Sequence, residues 1–283
     1  MPSPLTLVTW NVLAAPWAAP TFYPADLDDV LLERRGRAEL VGEILAALGA
    51  DVMCLQETTT PDLVITLARL GDAYDHAASS NGRALWSHWS TPEHPWEPNG
   101  TAVVWRRAAL SEVRTETVPI SDDGNVVTLL CARHVATGRP LRVMSVHLDA
   151  DNATIRRRQL ARALTAFAPA PGGVDAGTVD VVAGDCNEDT TGTDLGTISA
   201  DHGFTDALTA LDCTDPTHPY ARPSDDYAPL ARLDHFLVRG TTPLDGRVVD
   251  SGVWSVDTPG ARLAQHLEMT GSDHLPVSVS LSC

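Results

Sequence analysis

Apolar positions along the chain switch repeatedly between two periods. Leu5 to Val12 is a short apolar run rich in β-formers, which predicts a buried strand. From Glu33 to Leu48 the apolar residues Leu40, Val41, Ile44, Leu45 and Leu48 recur at helical spacing, and Gly49 supplies the usual C-terminal stop. Asp51 to Leu55 is a second apolar strand that runs straight into Gln56 and Glu57. Pro61 to Leu70 predicts a helix with proline in its first turn and Gly71 at its end. Further strands are predicted at Thr101–Trp105, Val126–Val135, Leu141–Val146, Val179–Ala183, Leu233–Val238 and Pro276–Leu281, and an Arg-rich amphipathic helix at Thr154–Phe167. Three stretches read as loops: 14–32 with its prolines, 79–100 with Trp86, Trp89 and Trp96, and 212–231, rich in Pro, Asp and Tyr. Strands alternating with helices define an α/β class. No repeat or linker divides residues 1–283, which read as one domain long enough to bury a core without staples.

Polar residues stand where several of these strands stop: Asn11, Glu57, His147, Asp185 and Asn187. Strand ends are where α/β proteins place their chemistry. Composition narrows what that chemistry can be. Acids number 37 and bases 20, a formal net charge of −17, and every base is arginine. With no lysine there is no Schiff-base chemistry and no Walker A site. The charge argues against sequence-independent binding of long polynucleotides and suits divalent cations, which take hard oxygen ligands. The five cysteines are odd in number and form no CxxC pair, against a disulfide framework or thiolate zinc site. The apolar start lacks a basic region, and no run reaches the roughly 18 residues of a membrane helix. These features predict a soluble, cytoplasmic protein with no membrane partner, and they point to no protein partner.

Taken singly, each strand-end residue is an ordinary turn former or a solvated acid. Together they form an ordered set: TWN at 9–11, LQE at 55–57, VHL at 146–148, GDCN at 184–187, RLDH at 232–235 and SDH at 272–274. With these words the chain resembles the endonuclease/exonuclease/phosphatase superfamily (DNase I-like) over residues 5–281. The resemblance implies an α/β (α+β) fold, a four-layer sandwich of two mixed β-sheets packed face to face with helices outside. It also implies a Mg²⁺-dependent phosphoesterase, with Mn²⁺ as a possible substitute. Glu57 and Asn11 would then serve the metal, Asp185 would orient or deprotonate water, and Asn187 would donate its amide to phosphoryl oxygens. His147 and His274 would contact the phosphate, with Asp273 beside His274 and Asp234 supporting this side of the site.

Within the superfamily the chain is similar to the deadenylase/nocturnin-like branch. NVLA at 11–14, Tyr23-Pro24, the Arg34–Arg37 segment, Arg158-Gln159 and the loop DPTHPYARPSDDYAPLARLDHF carry that likeness. It departs where Ala221-Arg222 follows Tyr220 in place of Thr-Asn, and where His235 stands in place of Tyr. Arg158, Tyr220, Arg222 and Trp96 are the candidate substrate contacts, Trp96 by stacking on a base. A small phosphorylated substrate or nucleotide fits the charge. An RNA 3′-end exonuclease, deadenylase or other nuclease acting on short RNA remains an alternative, as does a non-catalytic binding protein that keeps the fold. His76, His134, His202 and His218 lie outside every motif and read as surface residues, and Cys186 reads as a buried filler.

Overall fold

The computed structural model describes residues 4–18, 23, 27, 32–82, 96–168, 177–188, 193–218, 231–249 and 259–283. In chain order the first half runs β1 (Leu5–Asn11), α1 (Arg34–Leu48), β2 (Val52–Thr59), α2 (Thr60–Leu70), β3 (Tyr74–Ser80) and β4 (Asn99–Arg106). The middle runs β5 (Leu110–Pro119), β6 (Val126–His134), β7 (Pro140–His147), α3 (Ala153–Thr165), β8 (Val179–Asp185) and α4 (Thr193–Asp201). The remainder is β9 (Thr205–Asp206), α5 (Ala207–Ala210), β10 (Asp234–Arg239), β11 (Pro243–Val248), α6 (Pro259–Thr270) and β12 (Val277–Leu281).

Two six-stranded mixed sheets result, in the orders β11-β12-β1-β2-β4-β3 and β5-β6-β7-β8-β10-β9. Each centres on one parallel pair, β1 with β2 and β7 with β8. A helix makes each crossover, α1 in one sheet and α3 in the other, as parallel pairing requires. The order β1-β2-β4-β3 in one sheet recurs as β7-β8-β10-β9 in the other. The two halves therefore bring the C-terminal ends of four parallel strands to one end of the molecule.

Apolar side chains sort into three layers between four structural ones. Leu5, Leu7, Val52, Cys54 and Val103 of one sheet meet Leu130, Val143, Val181, Ala183 and Phe236 of the other. Val8, Trp10, Met53 and Leu55 face outward onto Val41, Leu45 and Leu63 of α1 and α2. Met144, Val146 and Val182 pack against Leu160, Leu164 and Phe167 around α3. The inward and outward sets alternate along β1 and β2, as the two-residue strand period demands. Near the C-terminal ends the layer between the sheets turns polar. Gln56 donates through Nε2 to Ser145 Oγ (3.0 Å), and Thr101 pairs with Thr128 (3.1 Å). This satisfied polar layer is the floor beneath the strand-end residues.

Local signals explain most of the helices. Glu33 caps α1 by accepting from the backbone N–H of Arg35 and Gly36, and Gly49 closes it at φ 61°. Thr59 caps α2, with Pro61 in the first turn. Elements that the hydrophobic pattern did not predict are chiefly β3, β5, β11, α4 and α6. The three strands lie at or next to sheet edges, and β5 (LSEVRTETVP) is mostly exposed, so burial imprints no apolar run on it. No helix among the described residues is long and apolar enough to cross a membrane. All five cysteines are free thiols.

Gly184 joins fold to site. It has φ 152°, and a Cβ there would stand 1.9 Å from the carbonyl oxygen of Val146 on the neighbouring strand. Gly184→Ala must therefore part β7 from β8 one residue before Asp185. The expected loss is about 3 kcal/mol or more, a fall in Tm on the order of 10 °C. Thermal unfolding followed by circular dichroism checks it, and an unchanged Tm would show that the strands can give way.

Candidate active site at the strand ends

Asn11 ends β1, Glu57 lies in β2, His147 ends β7 and Asp185 ends β8. Three non-glycine residues here adopt positive φ: Leu13 (55°), Glu57 (55°) and Asn187 (51°). Such backbone is costly and persists where surrounding structure imposes it, commonly at functional sites. At Glu57 it coincides with an irregularity in the β2–β4 pairing between Leu55 and Thr58.

Asn11 is the hub. Its Nδ2 donates to Glu57 Oε1 (2.9 Å) and to Asp185 Oδ2 (3.0 Å), tying a carboxylate of one sheet to a carboxylate of the other. Its Oδ1 accepts from the N–H of Leu13 (3.1 Å), and Glu57 Oε2 accepts from the N–H of Ala14 (3.0 Å). Asp185 is buried, and its Oδ1 accepts from the N–H of Asn187 (2.8 Å). His147 Nε2 lies 3.6 Å and His274 Nε2 3.7 Å from Asp185 Oδ2. His274 Nδ1 lies 2.8 Å from Asp234 Oδ2, at the start of β10.

The two pKa shifts follow from this packing. Burial by itself would raise the Asp185 carboxyl. The charges on His274 and His147, with the bonds from Asn11 and Asn187, overcome it and hold the carboxyl below its usual range. Burial by itself would lower His274. The charges of Asp234 and then Asp185, and the Asp234 hydrogen bond, raise it to about 10. A charged imidazole thus faces a charged carboxylate at neutral pH.

Behind the site, buried donors fix the SDH loop. Ser272 Oγ donates to the carbonyl of Asn11 (2.6 Å), and Trp10 Nε1 donates to the carbonyl of His274 (2.9 Å). Buried Arg37 donates from Nη1 to the carbonyls of Leu13 (3.0 Å) and Gly271 (2.9 Å), joining the loops after β1 and before His274. Tyr23 donates to Asp273 Oδ2 (3.3 Å). It is Asp234, not the adjacent Asp273, that holds the ring of His274.

The remaining predicted residues fall out differently. Asn187 donates from Nδ2 to the carbonyl of Leu148 (2.9 Å), which commits one of its two amide hydrogens. Trp96 is half-buried, edge-on to Trp17 with ring centroids 5.5 Å apart. Arg158 is exposed on α3, whereas Gln159 is buried and accepts from the N–H of Asp149 (2.7 Å). Tyr220, Arg222, Trp86 and Trp89 lie outside the described residues. Two histidines read as surface residues are placed otherwise. His134 is buried, and the ring of His218 sits 4.8 Å from that of His274. His134 has no sequence signal, whereas the position of His218 in the loop that carries the branch resemblance could have drawn attention to it. Cys186 is buried, as expected, and its thiol is pushed well up by burial, which leaves it unreactive.

The donor set fits a hard divalent ion. Glu57 and the amide oxygen of Asn11 are oxygen donors, and the carboxylates of Asp185 and Asp273 add negative charge nearby. In this structure Asn11 also holds Glu57, the other role open to it.

No curated protein matches the chain. Its fold is similar to that of an endonuclease/exonuclease/phosphatase from Bacteroides vulgatus, with a TM-score of 0.69 at 16% identity over 99% of both chains. It is also similar to the mannosyl-6-phosphatase of Bacteroides thetaiotaomicron VPI-5482, with a TM-score of 0.65 at 15% identity over 99% of this chain and 100% of that one. ANGEL2, a 2′,3′-cyclic phosphatase, gives 0.69 at 15% identity over 99% and 95%. Residues 8–274 match the Endonuclease/Exonuclease/phosphatase family. With that match spanning every motif named above, the chain belongs to the endonuclease/exonuclease/phosphatase family, whose members hydrolyse phosphate ester bonds.

Proposed function

We propose that this chain is a Mg²⁺-dependent phosphoesterase acting on a nucleotide or another small phosphorylated molecule. One observation carries the reading. The buried Asp185 carboxylate sits among Asn11, His147 and His274, and the Asn11 amide shares it with Glu57. Glu57 and Asn11 would hold a divalent ion, which would supply neutralisation of phosphoryl charge.

The chain's own groups do the rest. Asp185 stands ready to orient the attacking water and take its proton. His274, kept charged, donates from Nε2 to a phosphoryl oxygen, and Asp234 holds its ring at Nδ1. His147, whose Nε2 lies 3.6 Å from Asp185 Oδ2, is the second imidazole within reach of the same group. Asn187 offers its second amide hydrogen to the phosphoryl oxygens. Asn11 keeps the two carboxylates at fixed separation.

Substrate size is read from the arginines. Arg232 is buried and donates to Asp206 Oδ2 (2.9 Å), whose carboxyl is held down at about 2: burial would raise it, but the His235 hydrogen bond, the charge on His235 and Arg232 outweigh it. Arg156 donates to the carbonyl of Asp149 (2.7 Å) and faces Glu188, and Arg37 is spent on backbone carbonyls. Their engagement argues against a basic track for a polyanion. The phosphatase relatives, one named for a phosphosugar and one for a cyclic phosphate, favour small groups.

A hydrolysis panel tests this: nucleotide monophosphates, 2′,3′-cyclic phosphates, phosphorylated sugars and oligo(A) of rising length, with Mg²⁺ and with excess EDTA. A molecule of mononucleotide size or smaller is expected to be turned over at least as efficiently as any oligomer, and EDTA to abolish turnover. A kcat/KM that climbs with oligomer length and collapses with salt would mark a polynucleotide enzyme instead.

A further inference from the structure

His218 precedes the RLDH strand and belongs to none of the sequence motifs. In the fold its ring meets that of His274 edge-on, with centroids 4.8 Å apart. One ligand atom each from His218, Asp273 and His274 lie within 4.8 Å of one another. Each of the three is held from behind. Asp234 takes Nδ1 of His274 at 2.8 Å, which leaves Nε2 as the ring's ligand atom. Tyr23 donates to Asp273 Oδ2 at 3.3 Å. The N–H groups of Thr217 and His218 both donate to the carbonyl of Ala231 (3.0 and 3.1 Å). The fully buried Thr217 is locked further: its Oγ1 accepts from the N–H of Leu233 and Asp234, and its carbonyl from Leu275. Metal-ligating side chains are characteristically oriented by such outer contacts, above all a histidine whose other nitrogen meets a carboxylate.

The donors differ in kind from those beside Glu57. Glu57 and Asn11 offer oxygen only, which suits Mg²⁺. Two imidazoles and one carboxylate suit borderline ions such as Zn²⁺ or Co²⁺, with positions left open for water or substrate. We propose that His218, Asp273 and His274 form a second divalent-metal site, selective for a borderline transition ion over Mg²⁺. The site shares His274 with the phosphoesterase reading and bears on how that reaction is controlled. An ion bound at Nε2 and a hydrogen bond donated from Nε2 exclude one another. Occupation by a transition ion therefore removes the phosphoryl contact assigned to His274 and puts a divalent charge in its place.

The test is a titration of metal-stripped full-length protein with Co²⁺ in excess Mg²⁺, read by visible absorption. The expected result is one equivalent of Co²⁺ bound with bands stronger than those of the hydrated ion. His218→Ala and His218→Asn should each weaken that binding by about tenfold or more, consistent with loss of one ligand. Glu57→Gln should leave it in place. In the wild-type protein, Zn²⁺ should also shift the ring-nitrogen NMR signals of His218 and His274 while leaving His134 unmoved. That reading requires no variant to fold. Full-strength Co²⁺ binding in both His218 variants, displacement of all Co²⁺ by Mg²⁺, or loss of the signal in Glu57→Gln alone would each overturn the proposal. Absence of Mg²⁺-dependent hydrolysis with the Co²⁺ site intact would instead sink the phosphoesterase reading and leave this site standing.

Discussion

Asp185→Asn is expected to lower kcat by about three orders of magnitude, roughly 4 kcal/mol of transition-state stabilisation, with little change in KM. The side chain keeps its size, so the fold has no cavity to absorb. What changes is chemical. The amide cannot take a proton from water, and it confronts the Nδ2 of Asn11 with a neutral partner in place of a charged one. His274 also loses the second largest of the three charges that raise its pKa. Because the carboxylate acts on water rather than on the bound phosphate, ground-state affinity should survive. Steady-state kinetics on whichever substrate the panel selects decides the matter. A variant that loses affinity and keeps kcat would place Asp185 in substrate binding.

The second large effect concerns Asp234. Its carboxylate is the leading charge that raises His274 to about 10, against a burial that pulls the other way. His274 should therefore stay charged through neutrality, and activity that depends on the cation should fall only as pH rises toward 10. Asp234→Asn removes that charge and leaves Nδ1 a neutral amide oxygen in place of a carboxylate. The alkaline limb should move toward neutral pH, and kcat at pH 8 should drop by about two orders of magnitude.

Stability should follow the same sign. A folded pKa raised above 6.5 contributes stability fully below pH 6.5, and that contribution is lost as pH climbs through about 10. Asp185, whose pKa is lowered, contributes above its ordinary value of 3.8 and loses that contribution as pH falls through its depressed value. The Tm gap between wild type and Asp234→Asn should therefore be wide at pH 6 and narrow at pH 10. Identical alkaline limbs in the two proteins would show that Asp234 orients the ring without setting its charge.

The parallel strands and their crossover helices were legible because both faces of a central strand are buried. β1, β2, β7 and β8 leave continuous apolar runs, and the polar residue that ends each run marks the site. Edge elements such as β3, β5 and β11 pair on one side or lie at a sheet margin, and their exposed residues leave no run to read. The candidate site words were equally legible, since Asn11, Glu57, His147, Asp185, Asp234 and His274 sit at strand ends or just before a strand.

Partnership was another matter. The resemblance put Asp234 on the side of the site that supports His274, but only the fold shows the contact, with Asp234, 40 residues away, 2.8 Å from Nδ1. Of the arginines on α3 the sequence singled out Arg158 alone; it is exposed, while Arg156 turns to Asp149 and Glu188. Tyr23, Arg37 and His218 lie in segments that carry the branch resemblance, but no contact could be assigned to them from the sequence. Their roles arise where segments up to 250 residues apart are folded together, as Tyr23 and Asp273 are. The sequence by itself determined the strand ends, the residue types placed on them and the class of reaction they suit, because a buried strand must be apolar and a phosphoryl site must carry carboxylates and donors. Folding the chain was needed to show which atoms meet and which arginines are already engaged, because a hydrogen bond depends on separations of about 3 Å in space and no spacing along the chain encodes that distance.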